Sequence, residues 1–354
     1  MREFVYSASA ARVVFGAGCI QRLGEEAALL GATRVLVLST PGQRRLAERA
    51  AALLGPRTAA IHDGAVMHVP LASVEIARGI AVKARADCTV AIGGGSTIGL
   101  AKALALSGGP PILAVPTTYA GSEMTPIHGI TNGGVKVTGK DTRVLPRTVI
   151  YDPELGYGLP VPTSVASCLN AIAHCVEGLY ARDGNPVMSL MAEEGIRALA
   201  DGIRRVATGA AERQARADCL YGAWLSGMVL GNVGMALHHK LCHTLGGSFG
   251  LPHAETHAVI LPHAAAYNAA AAPQAMAVIA RALGRPHRPA AQCLAELATE
   301  LGAPSSLRSL GMRDTDLDRA ADLAMSAPYW NPQPLERKRL RHLLGAAFEG
   351  IGPA

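Results

Sequence analysis

With 354 residues the chain exceeds the ~100–200 usual for one domain, and its 49% hydrophobic but only 4% aromatic content describes cores of Ala, Val, Leu and Ile, as parallel sheets with covering helices use. No apolar run reaches the ~18 residues of a membrane span, and Met1 to Arg12 lacks the basic-then-apolar order of a secretory signal, so a cytoplasmic protein with no membrane partner is expected. The formal charge of +6 is spread over scattered Lys and Arg without interleaved aromatics, which excludes a nucleic-acid surface and favours small anionic ligands.

Arg34-Val-Leu-Val-Leu-Ser39 reads as a buried strand closed by a turn at Pro41-Gly42, and Gln43 to Leu54 as a helix. A second strand, Thr58 to His62, leads into a helix from Ala72 to Ala86. A third, Cys88 to Ile92, runs into three glycines, a helix from about Ser96 to Ser107, and the strand Pro111 to Val115. Alternation of this kind predicts an α/β N-terminal domain, Rossmann-like with a mostly parallel sheet. After Asp152-Pro153 the strand signals fade and Ala/Leu-rich helical stretches take over, including Met188 to Ala207, Ala210 to Met228 and Ala290 to Leu301. The expected division is an α/β dinucleotide-binding domain over 1–155 and an all-α catalytic domain over 156–354. Seven dispersed cysteines with no C-x-x-C pair argue against both a disulfide framework and a thiolate metal site.

Gly93-Gly94-Gly95-Ser96 lies between a buried strand and a helix, where the first backbone N–H groups cradle a pyrophosphate and only glycine allows the close approach. The ordinary G-x-G-x-x-G fingerprint is absent, because the sixth residue counted from Gly93 is Ile98. Thr117 and Thr118 stand at the next strand's carboxyl end, placed for ribose or phosphate. Ser39 stands where an acidic residue would hold the adenosine 2′-hydroxyl of NAD and repel the 2′-phosphate of NADP, so poor discrimination is expected.

His238, His239, His243, His253, His257 and His263 fall within 26 residues and make up half of the chain's 12 histidines. On a helix from Met235 to Leu245, His239 and His243 are four apart and share a face, and the Gly-Gly-Ser-Phe-Gly-Leu-Pro turn folds His253 back towards them. Asn170 and His174 are also four apart. Three imidazoles plus an oxygen would make a Zn²⁺ or Fe²⁺ site, but an amide oxygen offsets none of the metal's charge. His238, His257 and His263 are expected to be core or surface histidines with no shared role.

These features together resemble the iron-containing alcohol dehydrogenase family over essentially the whole chain, from Phe15-Gly-Ala-Gly18 to the last helices. The resemblance implies NAD(P)H-dependent redox chemistry and a homodimer. It assigns the pyrophosphate loop to Gly93, Gly94, Gly95 and Ser96, a second nucleotide loop to Pro116-Thr117-Thr118 with Gly121-Ser122-Glu123, and a cofactor-side lysine to Lys136. Its metal ligands fall on Asn170, His174, His239 and His253, with His243 beside the nicotinamide and substrate. Gly99 and Asn170 depart from the family by replacing aspartates. Asn170 and the phrases Val66-Met-His-Val-Pro70, Thr118-Tyr-Ala-Gly-Ser-Glu-Met-Thr125, Arg143-Val-Leu-Pro-Arg147 and Ser189-Leu-Met-Ala-Glu-Glu-Gly195 resemble the branch that reduces the alkene of maleylacetate to 3-oxoadipate in bacterial degradation of aromatic compounds.

That substrate rationalises the lost carboxylate. Reducing a simple ketone puts charge on an alkoxide, which a Lewis-acidic metal stabilises. Hydride addition to an alkene conjugated with a ketone gives a delocalised enolate, which hydrogen-bond donors stabilise. The expected roles are His243 as proton donor, with His174, His239, His253 and Asn170 holding the oxyanion and the substrate's carboxylates. NADH or NADPH is the expected cofactor, and no metal is expected to be required; if one binds, His174, His239 and His253 hold it. The rival readings are a metal-dependent alcohol or polyol dehydrogenase, a dehydroquinate synthase-like lyase, for which ligands near Asn170 are missing, and an inactive binding protein.

Overall fold

The computed structural model describes residues 4, 6, 11–133, 135–209, 212–326 and 328–353; the side chains of Val135 and Lys136 lie outside that description. The chain separates into two compact units, Ala8–Leu159 and Pro160–Ala354.

The first unit carries strands β1 (Arg12–Phe15), β2 (Val35–Leu38), β3 (Thr58–His62), β4 (Cys88–Gly93), β5 (Ile112–Pro116), β6 (Ile127–Asn132), β7 (Val135–Lys140) and β8 (Thr148–Tyr151), with helices α1 (Leu23–Leu29), α2 (Arg44–Leu54), α3 (Leu71–Ala84) and α4 (Gly95–Leu106). Six strands form one parallel sheet in the order β1-β8-β5-β4-β2-β3, as the strand–helix alternation predicts. Every residue of β2, β4, β5 and β8 is buried, which is why they read as continuous apolar runs rather than alternating ones. Their side chains join Leu23, Ala27, Ala47, Ala50 and Leu54 of α1 and α2 in one core. Strands β1 and β8 are four residues each and gave no separate signal in the sequence, and β6 and β7 form an antiparallel hairpin outside the sheet. Asp152 joins β8 to the start of the unit: its carboxylate accepts the N–H groups of Gly18 and Ile20, both at 3.0 Å, and of Glu154.

The order places β2 and β4 side by side while the chain leaves β2 for β3 on one flank and returns to β4 on the other. Such a reversal opens a crevice at the strands' carboxyl ends, the usual ligand position in open α/β sheets.

The second unit is helical: α5 (Val161–Leu179), α6 (Pro186–Thr208), α7 (Glu212–Asn232), α8 (Leu237–Phe249), α9 (His253–Asn268), α10 (Pro273–Ala282), α11 (Ala290–Glu300), α12 (Leu317–Met325) and α13 (Arg337–Glu349). In α5 every residue from Ser164 to Gly178 is buried, so this helix is the unit's axis rather than an amphipathic cover. A second core gathers apolar residues of α8, α9, α12 and α13, among them Leu241, Ile260, Ala320 and Leu344. Among the described residues no single helix is long and apolar enough to cross a membrane.

Candidate active site

At the β2/β4 reversal the glycine turn has the geometry of an anion cradle. Gly93 has φ +154°, and a Cβ there would lie 2.4 Å from Thr97 Oγ1 and 2.8 Å from Gln43 Oε1. A Cβ on Gly94 would meet Thr118 Cγ2 at 2.9 Å, so both positions need glycine and the turn's backbone stays bare. Gly95 opens α4 and is exposed, with Ser96 half-buried beside it, so the helix's first N–H groups are available to an anion. Thr117 is buried and accepts a hydrogen bond from Gln43 Nε2 at 2.7 Å, while Thr118 is half-buried. The Oγ of Ser39 and of Thr97 are buried without a partner. These residues fit a dinucleotide.

Ser39 itself has no exposed surface, whereas Thr40, the next residue, is half-buried. Thr40 is therefore the first side chain past β2 that solvent reaches. Neither residue is acidic. The Lys136 side chain lies outside the described residues. Gly99, the aspartate departure, faces Val69: an added Cβ would lie 2.7 Å from Val69 Cγ2. His68 and Val69 both have positive φ, a costly backbone state for such residues, and Thr131 holds them by two donated bonds: its N–H to Val69 O and its hydroxyl to His68 O at 2.7 Å.

In the helical unit, three helices each present a pair of polar residues four apart: Asn170 and His174 on α5, His239 and His243 on α8, His253 and His257 on α9. His174 and His239 are buried, with ring centroids 4.9 Å apart and His174 Nδ1 2.8 Å from His239 Nε2. His243 is exposed and His253 half-buried, their rings stacked at 6.2 Å and 15°. The group thus grades from a dry interior to a wet end at His243.

Two functional partners escape the sequence reading. Glu177, one helical turn past His174 on the same face of α5, accepts the backbone N–H groups of Ala236 and His238, both at 2.8 Å, and His239 Nδ1–H at 2.8 Å. It caps the start of α8 and orients the His239 ring together. The network assigns the tautomers: with Nδ1–H given to Glu177, His239 Nε2 accepts from His174 Nδ1–H. The signal for Glu177 was its spacing of seven from Asn170. The second partner is His257, whose ring lies 4.5 Å from that of His253 and 5.1 Å from that of His239. It is fully buried and shares a hydrogen bond of 2.9 Å with His238, so neither of these two is the isolated histidine expected from sequence; His263, also buried, makes no such contact among the described interactions. Burial, then neighbouring imidazoles, pull the pKa of His238 and His257 well below the ordinary value, so this inner pair stays neutral.

The family model for iron-containing alcohol dehydrogenase matches residues 10–153, and that for the C-terminal part of the Fe-containing alcohol dehydrogenase family matches residues 164–348. The chain belongs to the iron-containing alcohol dehydrogenase family. It is an oxidoreductase. Maleylacetate reductase of Burkholderia cepacia is 58% identical over 354 residues, all of both chains. The crystal structure of maleylacetate reductase from Agrobacterium tumefaciens is 51% identical with a TM-score of 0.95, and that of a candidate alcohol dehydrogenase from Ralstonia eutropha JMP134 is 63% identical with a TM-score of 0.99, each covering 100% of both chains.

The donor set departs from that of the family's iron in two ways. Asn170 presents a buried neutral carbonyl oxygen with no partner, where a carboxylate would offset a cation's charge. The facing nitrogens of His174 and His239 are 2.8 Å apart and bonded through a proton, closer than the roughly 3.3 Å that two imidazoles on one tetrahedral ion at ~2.0–2.1 Å would take. His238, Cys242 and His257 bring three more ligand-type atoms within 4.8 Å of one another, but the two imidazoles are again hydrogen-bonded to each other. Lacking a carboxylate, the Asn170, His174, His239 and His253 set offsets none of a cation's charge and would hold one more weakly than a carboxylate-containing set.

Proposed function

We propose that this chain is a maleylacetate-reducing enzyme: it reduces the conjugated C=C of maleylacetate to 3-oxoadipate with NADH or NADPH, and does so without a bound metal. The observation that carries the reading is buried Asn170 one helical turn before buried His174, in a chain whose full-length relative at 58% identity is a maleylacetate reductase. The Gly93–Ser96 turn, Thr117 and Thr118 hold the dinucleotide, and Lys136 serves it as the family resemblance implies. When bound, the reduced nicotinamide supplies a hydride to the alkene carbon far from the ketone. The electron pair of the alkene moves onto the ketone oxygen as an enolate, and the His253 imidazole N–H and the Asn170 amide hold that oxygen and the carboxylates, while His174, whose Nδ1–H is committed to His239, donates from Nε2 only when protonated, and His239, bonded to Glu177 and His174, positions that ring. Glu177 keeps His239 in one tautomer throughout. His243, at the wet end of the group, gives the proton that returns the enolate to a ketone and is reprotonated from solvent. The absence of a carboxylate at Ser39 and Thr40 supports use of both nucleotides. A cytoplasmic homodimer acting on a small dicarboxylate, with no nucleic-acid or membrane partner, completes the reading.

The test is turnover of maleylacetate with NADH beside oxidation of simple alcohols with NAD. The first is expected to be fast and the second negligible; the reverse pattern sinks the proposal.

A further inference from the structure

Lys102 lies two turns into α4 and is 2% exposed, with a counter-charge, Glu123, in the segment it contacts rather than in a solvent-facing pair. Four oxygens lie within hydrogen-bond distance of its Nζ, Ser122 O at 2.6 Å, Thr125 O at 2.7 Å, Ile127 O at 2.8 Å and Thr125 Oγ1 at 2.9 Å, and share its three N–H groups. Three backbone carbonyls and a hydroxyl therefore converge on one ammonium, as they do around a bound potassium or ammonium ion. Those oxygens belong to the stretch that runs from the second nucleotide loop into β6. Ser122 O also accepts the Thr125 N–H and hydroxyl, and Thr125 Oγ1 the Ile127 N–H, so the ammonium binds a turn that is already hydrogen-bonded and joins it to α4. Glu123 Oε1 accepts the Tyr151 hydroxyl at 2.7 Å and anchors the same stretch to β8. Burial draws the Lys102 pKa down to about 7, opposed by the charge of Glu123.

The same helix does two things at once. Its first N–H groups, at Gly95 and Ser96, flank the glycine turn, and its Lys102 ties down the segment after Thr117 and Thr118. Thr118 fills the space beside Gly94 that a Cβ would occupy, 2.9 Å from its position, so the two loops lie side by side. We propose that Lys102 is a built-in cation that sets the shape of the second nucleotide loop, residues 117–125, and acts as a positioning residue for nicotinamide nucleotide binding. This rests on the reading of the two loops as the dinucleotide site. A lysine that served only the core would affect folding without separating nucleotide affinity from turnover.

The experiment uses the full chain, following NADH affinity by its fluorescence and KM and kcat by maleylacetate turnover. Lys102→Met is expected to raise Kd and KM for NADH by ~10-fold or more while kcat at saturating NADH changes by less than ~3-fold. Lys102→Ala leaves a cage of four oxygens, and added ammonium or potassium ion is expected to restore much of the NADH affinity, with lithium ineffective because it is too small to reach them all. Thr125→Val removes one of the four acceptors without emptying the site, so it answers the question even if the lysine variants fail to fold; its NADH affinity is expected to drop a few-fold. Folded variants with unchanged NADH affinity overturn the proposal, as does a parallel loss of kcat, affinity and thermal stability that no cation rescues. A wild-type chain that binds no NADH fails earlier, and overturns the reading of the loops along with it.

Discussion

Asn170 sits where a carboxylate would anchor a cation, and its amide keeps the space without the charge. Asn170→Asp restores that charge beside His174, so metal affinity is expected to rise while a dianionic substrate is repelled. The purified variant should carry more iron or zinc by metal analysis, and its kcat/KM for maleylacetate should fall; equal metal content and equal turnover would show that the amide is incidental. His243 differs from the other imidazoles in its exposure, the property a recycled proton donor needs. His243→Ala is expected to lower kcat by ~100-fold or more with KM for NADH little changed, the scale of losing a general acid. The His257 neighbour at 4.5 Å from His253 is a residue the sequence placed outside the group, because four-residue spacing from a helix's first residue looks like any other buried histidine until α9 is packed against α5.

At the scale of elements, Glu177 ties two helices together. It caps α8 through the N–H groups of Ala236 and His238, 59 and 61 residues further along the chain, and no local pattern in the sequence announces a cap supplied from such a distance. Glu177→Ala leaves these buried donors and the His239 ring without an acceptor, at ~1–3 kcal/mol each, so a marked fall in Tm is expected; Glu177→Gln should recover part of the Tm but not kcat, because the amide accepts some of the bonds without the carboxylate's charge. A Glu177→Gln enzyme with wild-type kcat would leave the residue a purely structural cap. The apolar runs β2, β4 and β5 were legible as strands because burial on both faces removes alternation and leaves short Val/Leu/Ile runs between turn residues; half-buried β3 was legible from its place between α2 and the Asp63-Gly64 turn. Strand β1 was not, because it is an edge strand with a single buried residue, nor was β8, whose four residues are closely flanked by Pro146 and Pro153, and the hairpin β6–β7 carries Gly and Asn that read as loop. In the helical unit α6, α7 and α11 were legible within a few residues, while the entry of His253 as the first residue of α9 replaced the expected loop position.

For the whole molecule, the parallel sheet with a β2/β4 reversal and the separate helical unit give two chemically distinct sites, a dinucleotide cradle and an imidazole cluster. With no acidic residue at Ser39 or Thr40, NADH and NADPH are both expected to support reduction; a preference beyond ~1000-fold in kcat/KM, equivalent to ~4 kcal/mol, would mean another residue reads the 2′ position. The most direct test of the account is the rate of maleylacetate reduction by enzyme stripped of metal and assayed in EDTA. The account predicts full turnover with far less than one equivalent of iron or zinc per chain. Turnover that vanishes in EDTA and returns with Fe²⁺ or Zn²⁺ would contradict it.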